Sequence, residues 1–112
     1  MVYIDVSMRT AFFLLALALP AQDFGKLSIE KVAGGFTFTE GPAWSRDGYL
    51  VFSDPPENKI HRLTAEGKSI LRENSNGANG NTFDAQGRLY TCESKPRRVT
   101  VTDKKGNVEV LA

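Results

Sequence analysis

Residues 39–54 read Thr-Glu-Gly-Pro-Ala-Trp-Ser-Arg-Asp-Gly-Tyr-Leu-Val-Phe-Ser-Asp. Glu40 stands directly before a Gly-Pro break, and two apolar runs follow it, separated by Asp47-Gly48. An Asp-Gly pair between two apolar runs favours a tight turn between two strands. The stretch therefore predicts a strand, a turn and a second strand, with Glu40 at the start of the first strand.

The same pattern returns over residues 79–90, which read Asn-Gly-Asn-Thr-Phe-Asp-Ala-Gln-Gly-Arg-Leu-Tyr. Trp44 matches Phe83 and Gly48 matches Gly87, in each case 39 positions later. A period of about 40 residues that contains only short strands is typical of β-propeller blades, in which each repeat is one four-stranded sheet. The chain is therefore predicted to be all-β and to contain about the first two blades of a propeller.

Four strands are predicted in each repeat, and glycines mark the turns between them. The predicted strands are 42–45, 49–53, 59–64 and 68–73 in the first repeat, and 81–84, 88–93, 98–102 and 107–111 in the second. These ranges place blade one at 40–74 and blade two at 79–112. Residues 27–32 alternate apolar and polar side chains and predict an outer closing strand, whose partner strands are expected beyond residue 112.

The first 21 residues have the pattern of a secretory signal peptide. Arg9 is a positive charge before the apolar run 11–19, and Leu19-Pro20-Ala21 offers a cleavage site with a small residue. Met8 begins a shorter version of the same pattern, so it is an alternative start. The apolar run is too short to span a bilayer. We therefore expect a secreted or periplasmic protein without a stable membrane anchor after cleavage; the alternative is that this stretch is a buried element of the fold.

The size and charge of the chain limit the classes of protein it can represent. It has 112 residues and a net charge of +1, which provides no overall attraction to nucleic acid, so no nucleic-acid partner is expected. A propeller blade buries its faces against neighbouring blades, so two repeats form an incomplete array. The chain is therefore interpreted as the N-terminal fragment of a longer protein.

A series of short motifs follows within residues 40–100. They are Glu40-Gly-Pro-Ala-Trp44, Leu50-Val-Phe-Ser-Asp54, Asn58-Lys-Ile60, Gly77-Ala-Asn-Gly80, Phe83-Asp84, Gln86-Gly-Arg-Leu89, Cys92-Glu93 and Arg97-Arg-Val-Thr100. Together they resemble the start of a gluconolactonase of the senescence marker protein 30, gluconolactonase and luciferin-regenerating enzyme family. The resemblance covers nearly all of residues 26–112. It implies a six-bladed β-propeller, one divalent metal ion in the central channel, and hydrolysis of sugar lactones or related esters.

The resemblance assigns one site residue, Glu40, and the repeat period indicates a second, Asn79. Glu40 matches the family's first metal ligand, and a carboxylate beside a Gly-Pro suits a hard cation, with calcium expected first and magnesium, manganese or zinc as alternatives. Asn79 follows Glu40 by 39 positions and is expected to contact substrate or metal-bound water. The plain structural alternatives are a carboxylate that caps neighbouring amides and an Asn-Gly turn. The remaining ligands and the general base are expected outside this chain.

Other reactive or aromatic residues have simpler interpretations. Cys92, the only cysteine, is expected to be a small buried group, and His61, the only histidine, is expected to face solvent. Triad-type nucleophilic catalysis therefore has little support. Trp44 and Phe83 are expected to pack between blades.

Asp54 and Glu93 match each other by the repeat period. Both are expected at the ends of strands, although either could reach the channel.

The sequence is thus interpreted as the N-terminal fragment of a metal-dependent lactone hydrolase that acts on a small-molecule lactone or ester. The isolated chain, which lacks most of the implied site, is expected to be inactive. The alternatives are a non-enzymatic β-propeller that binds protein or carbohydrate, and an inactive truncated remnant.

Overall fold

The computed structural model describes residue 25 and residues 27–112. Residues 32–112 form one compact unit, and the chain before them belongs to a second unit. The predicted signal peptide, residues 1–21, lies outside the described residues. No helix within the described part of the chain is long and apolar enough to cross a membrane.

Within residues 27–112, eight strands form two antiparallel sheets of four strands each, and both sheets follow the order of the chain. The first sheet contains β1 (Glu40–Ser45), β2 (Tyr49–Asp54), β3 (Lys59–Thr64) and β4 (Gly67–Arg72), and the second contains β5 (Ala78–Phe83), β6 (Leu89–Glu93), β7 (Arg98–Thr102) and β8 (Val108–Val110). The eight predicted strands are confirmed, with bounds that differ by at most three residues. The all-β prediction, with one four-stranded sheet per repeat, is therefore correct.

Glycines close equivalent turns in the two sheets. The amide of Gly48 donates to the carbonyl of Ser45 at 3.0 Å, and the amide of Gly87 donates to that of Asp84 at 3.1 Å. Both glycines have positive φ, 85° and 78°, which other residues adopt only with strain. The Asp-Gly and Gln-Gly pairs of the sequence thus set the first turn of each sheet.

The first strand of each sheet carries a bulge at the same place in the repeat. In the first sheet the register shifts between the pairs Glu40↔Ser53 and Ala43↔Val51. In the second it shifts between Ala78↔Glu93 and Asn81↔Thr91. A bulge adds one residue to a strand and redirects nearby side chains. It therefore changes the strand direction directly beside Glu40 and at Asn79.

The core lies between the two sheets. Val51, Ile60, Ala78 and Leu89 are buried there, and Tyr49, Ala43 and Phe83 pack against them. The rings of Tyr49 and Phe83 meet edge to face, with centroids 6.0 Å apart. Burial of these apolar side chains away from water supplies the main attraction between the sheets.

Phe83 packs between the sheets as predicted, but the same prediction for Trp44 is wrong. The Trp44 side chain is 67% exposed. Phe83 faces the preceding sheet, so its counterpart one repeat earlier faces away from the second sheet. Among the described residues no sheet precedes β1, and Trp44 has no apolar surface to pack against on that side.

Two other predictions about side-chain orientation are wrong. His61 is buried because it packs in a cluster of three rings: Phe36, from the segment before β1, lies with its ring centroid 5.0 Å from that of His61, and Phe52 stacks on His61 at 5.4 Å. Cys92 is exposed. Side chains alternate across a strand, and its neighbours Thr91 and Glu93 point into the buried side of β6.

The segment 27–32 forms no strand with the described part of the chain. The outer closing strand, whose partners are expected beyond residue 112, stays a prediction. Leu27, Ile29 and Val32 are all largely exposed. A strand is maintained by hydrogen bonds to a neighbouring strand, and the sequence placed the partners of this segment beyond residue 112. An unpaired extended segment lacks that stabilisation.

Candidate metal and substrate site

Glu40 is the first residue of β1, at the end of the sheet where β2 also ends. It is partly buried and pairs through its backbone with Ser53. Within the described part of the chain, no hydrogen bond or ion pair engages its carboxylate. Both carboxylate oxygens are therefore available to a ligand.

Gly41 brings the first strands of the two sheets into backbone contact. Its φ is +60°, and a Cβ built on it would lie 2.0 Å from the carbonyl oxygen of Asn79 and 2.9 Å from the carbonyl carbon. Only glycine fits so close to a neighbouring backbone. The contact places Glu40 and the exposed residue Asn79 on adjacent strands, as the repeat period predicts.

Asn81 joins these two strands through its side chain, a role that the sequence analysis missed. Its Nδ2 donates to the Gly41 carbonyl at 2.9 Å, to Ser53 Oγ at 2.8 Å and to the Asn79 carbonyl at 3.1 Å. Its Oδ1 accepts from Thr91 Oγ1 at 2.9 Å. One amide thus fixes the spacing of the backbone on both sides of the candidate site. The sequence feature that could have indicated this role is a polar amide inside a predicted strand, at the position where the first repeat has proline.

Glu93 at the end of β6 is buried and bound by four side chains. Arg72 donates to Oε1, Arg98 Nε donates to Oε2 at 2.7 Å, Asn76 Nδ2 donates to Oε2 at 3.1 Å, and Thr100 Oγ1 donates to Oε1 at 3.1 Å. Burial raises the pKa of Glu93, but the hydrogen bonds from Arg98 and Arg72 outweigh it and hold the pKa below its ordinary value. This carboxylate is fully engaged in the fold and is not free to act as a base or a metal ligand.

Asp54 at the end of β2 is also fully buried. Its carboxylate accepts hydrogen bonds from three backbone amides, those of Thr37 at 2.8 Å, Phe38 at 3.3 Å and Glu57 at 3.4 Å. The prediction that Asp54 and Glu93 sit at strand ends is confirmed. Glu40 and Glu73 are therefore carboxylates at this end of the first sheet that have no partner in the described chain, and of the two Glu40 is partly buried whereas Glu73 is exposed.

The donor set at Glu40 and Asn79 fits part of a hard-cation site. A carboxylate and a side-chain amide oxygen are the oxygen ligands that calcium and magnesium prefer. Among the described residues, no three His, Cys, Asp or Glu side chains are close enough together to hold a metal ion. The described His, Cys, Asp and Glu side chains therefore do not by themselves complete a metal site around Glu40.

Three comparisons connect the chain to known proteins. Residues 38–112 match the SMP-30/Gluconolactonase/LRE-like region. A gluconolactonase of Zymomonas mobilis is 30% identical over 90 residues, which cover 67% of this chain and 25% of that protein. A solved gluconolactonase structure from Xanthomonas campestris is 34% identical with a TM-score of 0.65, covering 69% of this chain and 27% of that one. A second solved structure, assigned as a gluconolactonase, is 30% identical with a TM-score of 0.68 and covers 74% and 30%. The chain thus spans between a quarter and a third of the length of these relatives.

Proposed function

We propose that this protein hydrolyses lactones, because the chain belongs to the SMP-30/gluconolactonase/LRE-like family. The match begins at residue 38, two positions before Glu40, and runs through both sheets. Relatives named gluconolactonase support a sugar lactone, or a related small ester, as the substrate class. The finer proposal is that hydrolysis depends on a divalent metal ion held in part by Glu40.

Glu40 suits the role of a metal ligand on chemical grounds. Its carboxylate supplies two oxygen donors and has no competing partner within the described chain. A bound divalent cation would polarise the lactone carbonyl and favour ionisation of a water molecule. Calcium is proposed first, with magnesium, manganese or zinc as alternatives, because a hard cation prefers oxygen ligands.

Asn79 suits the role of a substrate contact. Its side chain is exposed, and its amide can donate two hydrogen bonds and accept two. Sugar lactones present hydroxyl and carbonyl oxygens that such an amide binds. Asn81 is proposed as a positioning residue, since it holds the backbone of Asn79 beside Gly41 and thereby keeps the substrate contact next to Glu40.

The observation that carries the proposal is the free carboxylate of Glu40 beside Asn79 within the matched family region. The test is the hydrolysis rate of glucono-1,5-lactone, followed by pH-stat with the protein as its gene encodes it. Glu40→Gln keeps the size of the side chain but removes its charge, and we expect a rate at least about 100-fold lower. Glu73→Gln, at an exposed position after β4, is the matched control and should keep the wild-type rate.

Equal rates for wild type and Glu40→Gln would reject Glu40 as a ligand. An absence of lactone hydrolysis in all three proteins would reject the enzymatic function and favour the binding-module or inactive-remnant alternatives.

We also propose that the protein is secreted or periplasmic. The support is the charge and hydropathy pattern of residues 1–21. Mass spectrometry of the mature protein from an extracellular or periplasmic fraction should find its N-terminus at residue 22. Recovery of the intact N-terminus from the cytoplasmic fraction alone would contradict the proposal.

A further inference from the structure

Two asparagines at the start of the second sheet stand directly before a glycine. They are Asn76 before Gly77 and Asn79 before Gly80. An asparagine in such a pair can lose its side-chain amide, because the next backbone nitrogen attacks the side-chain carbonyl carbon and closes an imide ring. Glycine permits this attack most readily, since it has no Cβ to hinder the nitrogen and leaves the backbone free to turn. The two pairs therefore offer the same chemistry in different surroundings.

The groups that would react in the Asn76-Gly77 pair are already engaged in the fold. Asn76 Nδ2 donates to Glu93 Oε2 at 3.1 Å, and the Gly77 amide donates to Asn58 Oδ1 at 2.9 Å. The carbonyl of Asn76 accepts from the amide of Lys95 at 3.2 Å, and Gly77 is buried. Ring closure here would break these hydrogen bonds and leave buried polar groups without partners, which costs free energy. The fold therefore protects this pair.

The Asn79-Gly80 pair lacks this protection. Asn79 is exposed, and among the described residues no hydrogen bond engages its side-chain amide. The bulge in β5 leaves both residues of the pair without a register partner in β6. A Cβ built on Gly80 would meet nothing within 4 Å, so the chain has room to turn at this glycine. The backbone carbonyl of Asn79, which accepts from Asn81 Nδ2 at 3.1 Å, remains a carbonyl in the imide.

Water also reaches Asn79. The residue lines a groove of about 330 Å³, together with Cys92, Ser94 and Arg97. This volume is much larger than a single water molecule requires. Water in the groove can therefore open an imide formed at Asn79.

We propose that Asn79 is a site of spontaneous deamidation and that the fold protects Asn76 from the same reaction. The Gly80 nitrogen forms a bond to Asn79 Cγ and gives up its proton as ammonia leaves. Water then adds to one of the two imide carbonyls and the C–N bond at that carbonyl breaks, which leaves aspartate or isoaspartate at position 79. The product places a negative charge on the strand next to Glu40. The reaction does not depend on the proposed function, although it changes the side chain assigned there to the substrate.

Mass spectrometry of tryptic peptides tests the proposal on the protein as its gene encodes it. The protein is incubated in mildly alkaline buffer, which favours loss of the proton from the attacking nitrogen. Fragmentation of the peptide 73–88 then assigns each conversion to Asn76 or to Asn79. We expect conversion at Asn79 to be at least about tenfold faster, because ring closure at Asn76 must first break hydrogen bonds.

Two controls separate the effect of the fold from that of the local sequence. In guanidinium chloride the contacts of Asn76 are lost, so both asparagines should convert at similar rates. In Gly80→Ala the added methyl group meets nothing in the fold but stands beside the attacking nitrogen, and conversion at Asn79 should be at least about tenfold slower.

Conversion of Asn76 in the native protein as fast as that of Asn79 would overturn the proposal. A native protein that stays unmodified at Asn79 over the time in which the denatured chain is converted would do so as well, as would an unchanged rate in Gly80→Ala.

Discussion

Asp54 closes β2 in the first sheet, and Glu93 closes β6 in the second sheet 39 positions later. Both carboxylates are buried, but their hydrogen-bond partners differ in kind. Asp54 accepts from backbone amides, including those of Thr37 and Phe38 in the segment before β1. Glu93 accepts from two guanidinium groups and two neutral side chains.

The comparison shows that a buried carboxylate at the same position of the two repeats joins segments of the chain in both sheets, but accepts from different kinds of hydrogen-bond donor. In each repeat this carboxylate binds both an earlier segment of the chain and residues that follow it. Asp54 holds the segment 37–38 against the first sheet, and Glu93 binds Arg72 at the end of the first sheet and Arg98 in the second. Neutral amides lose a modest interaction when the carboxylate is removed, whereas the partly buried arginines at Glu93 are left with uncompensated charge.

The largest effect is therefore expected at Glu93. Glu93→Ala leaves Arg72 and Arg98 without their carboxylate and should lower the free energy of unfolding by about 3 kcal/mol. Urea denaturation of the full protein measures the change, with the exposed Glu109→Ala as the control. A loss under about 0.5 kcal/mol, the level of an ordinary surface substitution, would show that the arginines find other partners.

The same network predicts a dependence of stability on pH. The pKa of Glu93 lies below its ordinary value of 4.5 because the arginine hydrogen bonds outweigh burial. Its contribution is fully present above pH 4.5 and is lost as the pH falls through the lower pKa of the folded state. Urea midpoints of wild type should therefore fall on acidification below 4.5 more steeply than those of Glu93→Gln. Parallel curves would contradict this account.

The bulges provide a second comparison of the two sheets. The expected effect on the free energy of unfolding is smaller than at Glu93 and larger than at Asp54. Gly41 and Gly80 are equivalent by the repeat, but a Cβ on Gly41 would collide with the Asn79 backbone, whereas a Cβ on Gly80 would meet nothing within 4 Å. Gly41→Ala should lower the free energy of unfolding by about 2 kcal/mol through overpacking and strain at positive φ. Gly80→Ala should change it by less than about 0.5 kcal/mol.

Urea denaturation of both glycine variants checks this prediction. Equal losses in the two variants would mean that the contact between the first strands of the sheets is not tight, and that Glu40 and Asn79 are not held beside each other.

The smallest effect is expected at Asp54. Asp54→Asn keeps one oxygen acceptor but replaces the other with an amide group that cannot accept from Thr37 or Phe38. We expect a loss of about 1 kcal/mol, the contribution of one or two neutral hydrogen bonds. A loss as large as that of Glu93→Ala, measured by the same urea titration, would remove the distinction drawn between the two carboxylates.

The sequence could predict the strands and their grouping because these depend on short-range patterns. Gly48 and Gly87 are separated by the repeat period, and each of them is flanked by apolar runs. The same period predicted that Glu40 and Asn79 would occupy equivalent places, and the contact at Gly41 shows them on adjacent strands.

Such short-range patterns could not predict contacts between residues that are far apart in the sequence. His61 is buried by Phe36, which precedes it by 25 residues, so the alternation within β3 could not indicate its surroundings. The bridge from Asn81 to Gly41 spans 40 positions and occurs in only one of the two repeats. Trp44 matches Phe83 in sequence, but its exposure depends on which face has a neighbouring sheet.

The central claim is that Glu40 is one of the ligands of a metal site. Titration of the metal-free full protein with calcium, followed by calorimetry, tests it without requiring turnover. We predict saturable binding in wild type and in Glu73→Gln, and binding at least about tenfold weaker in Glu40→Gln, because the substitution removes a charged oxygen ligand. Calcium binding of equal strength in all three proteins, or in none of them with calcium, magnesium, manganese or zinc, would contradict the claim.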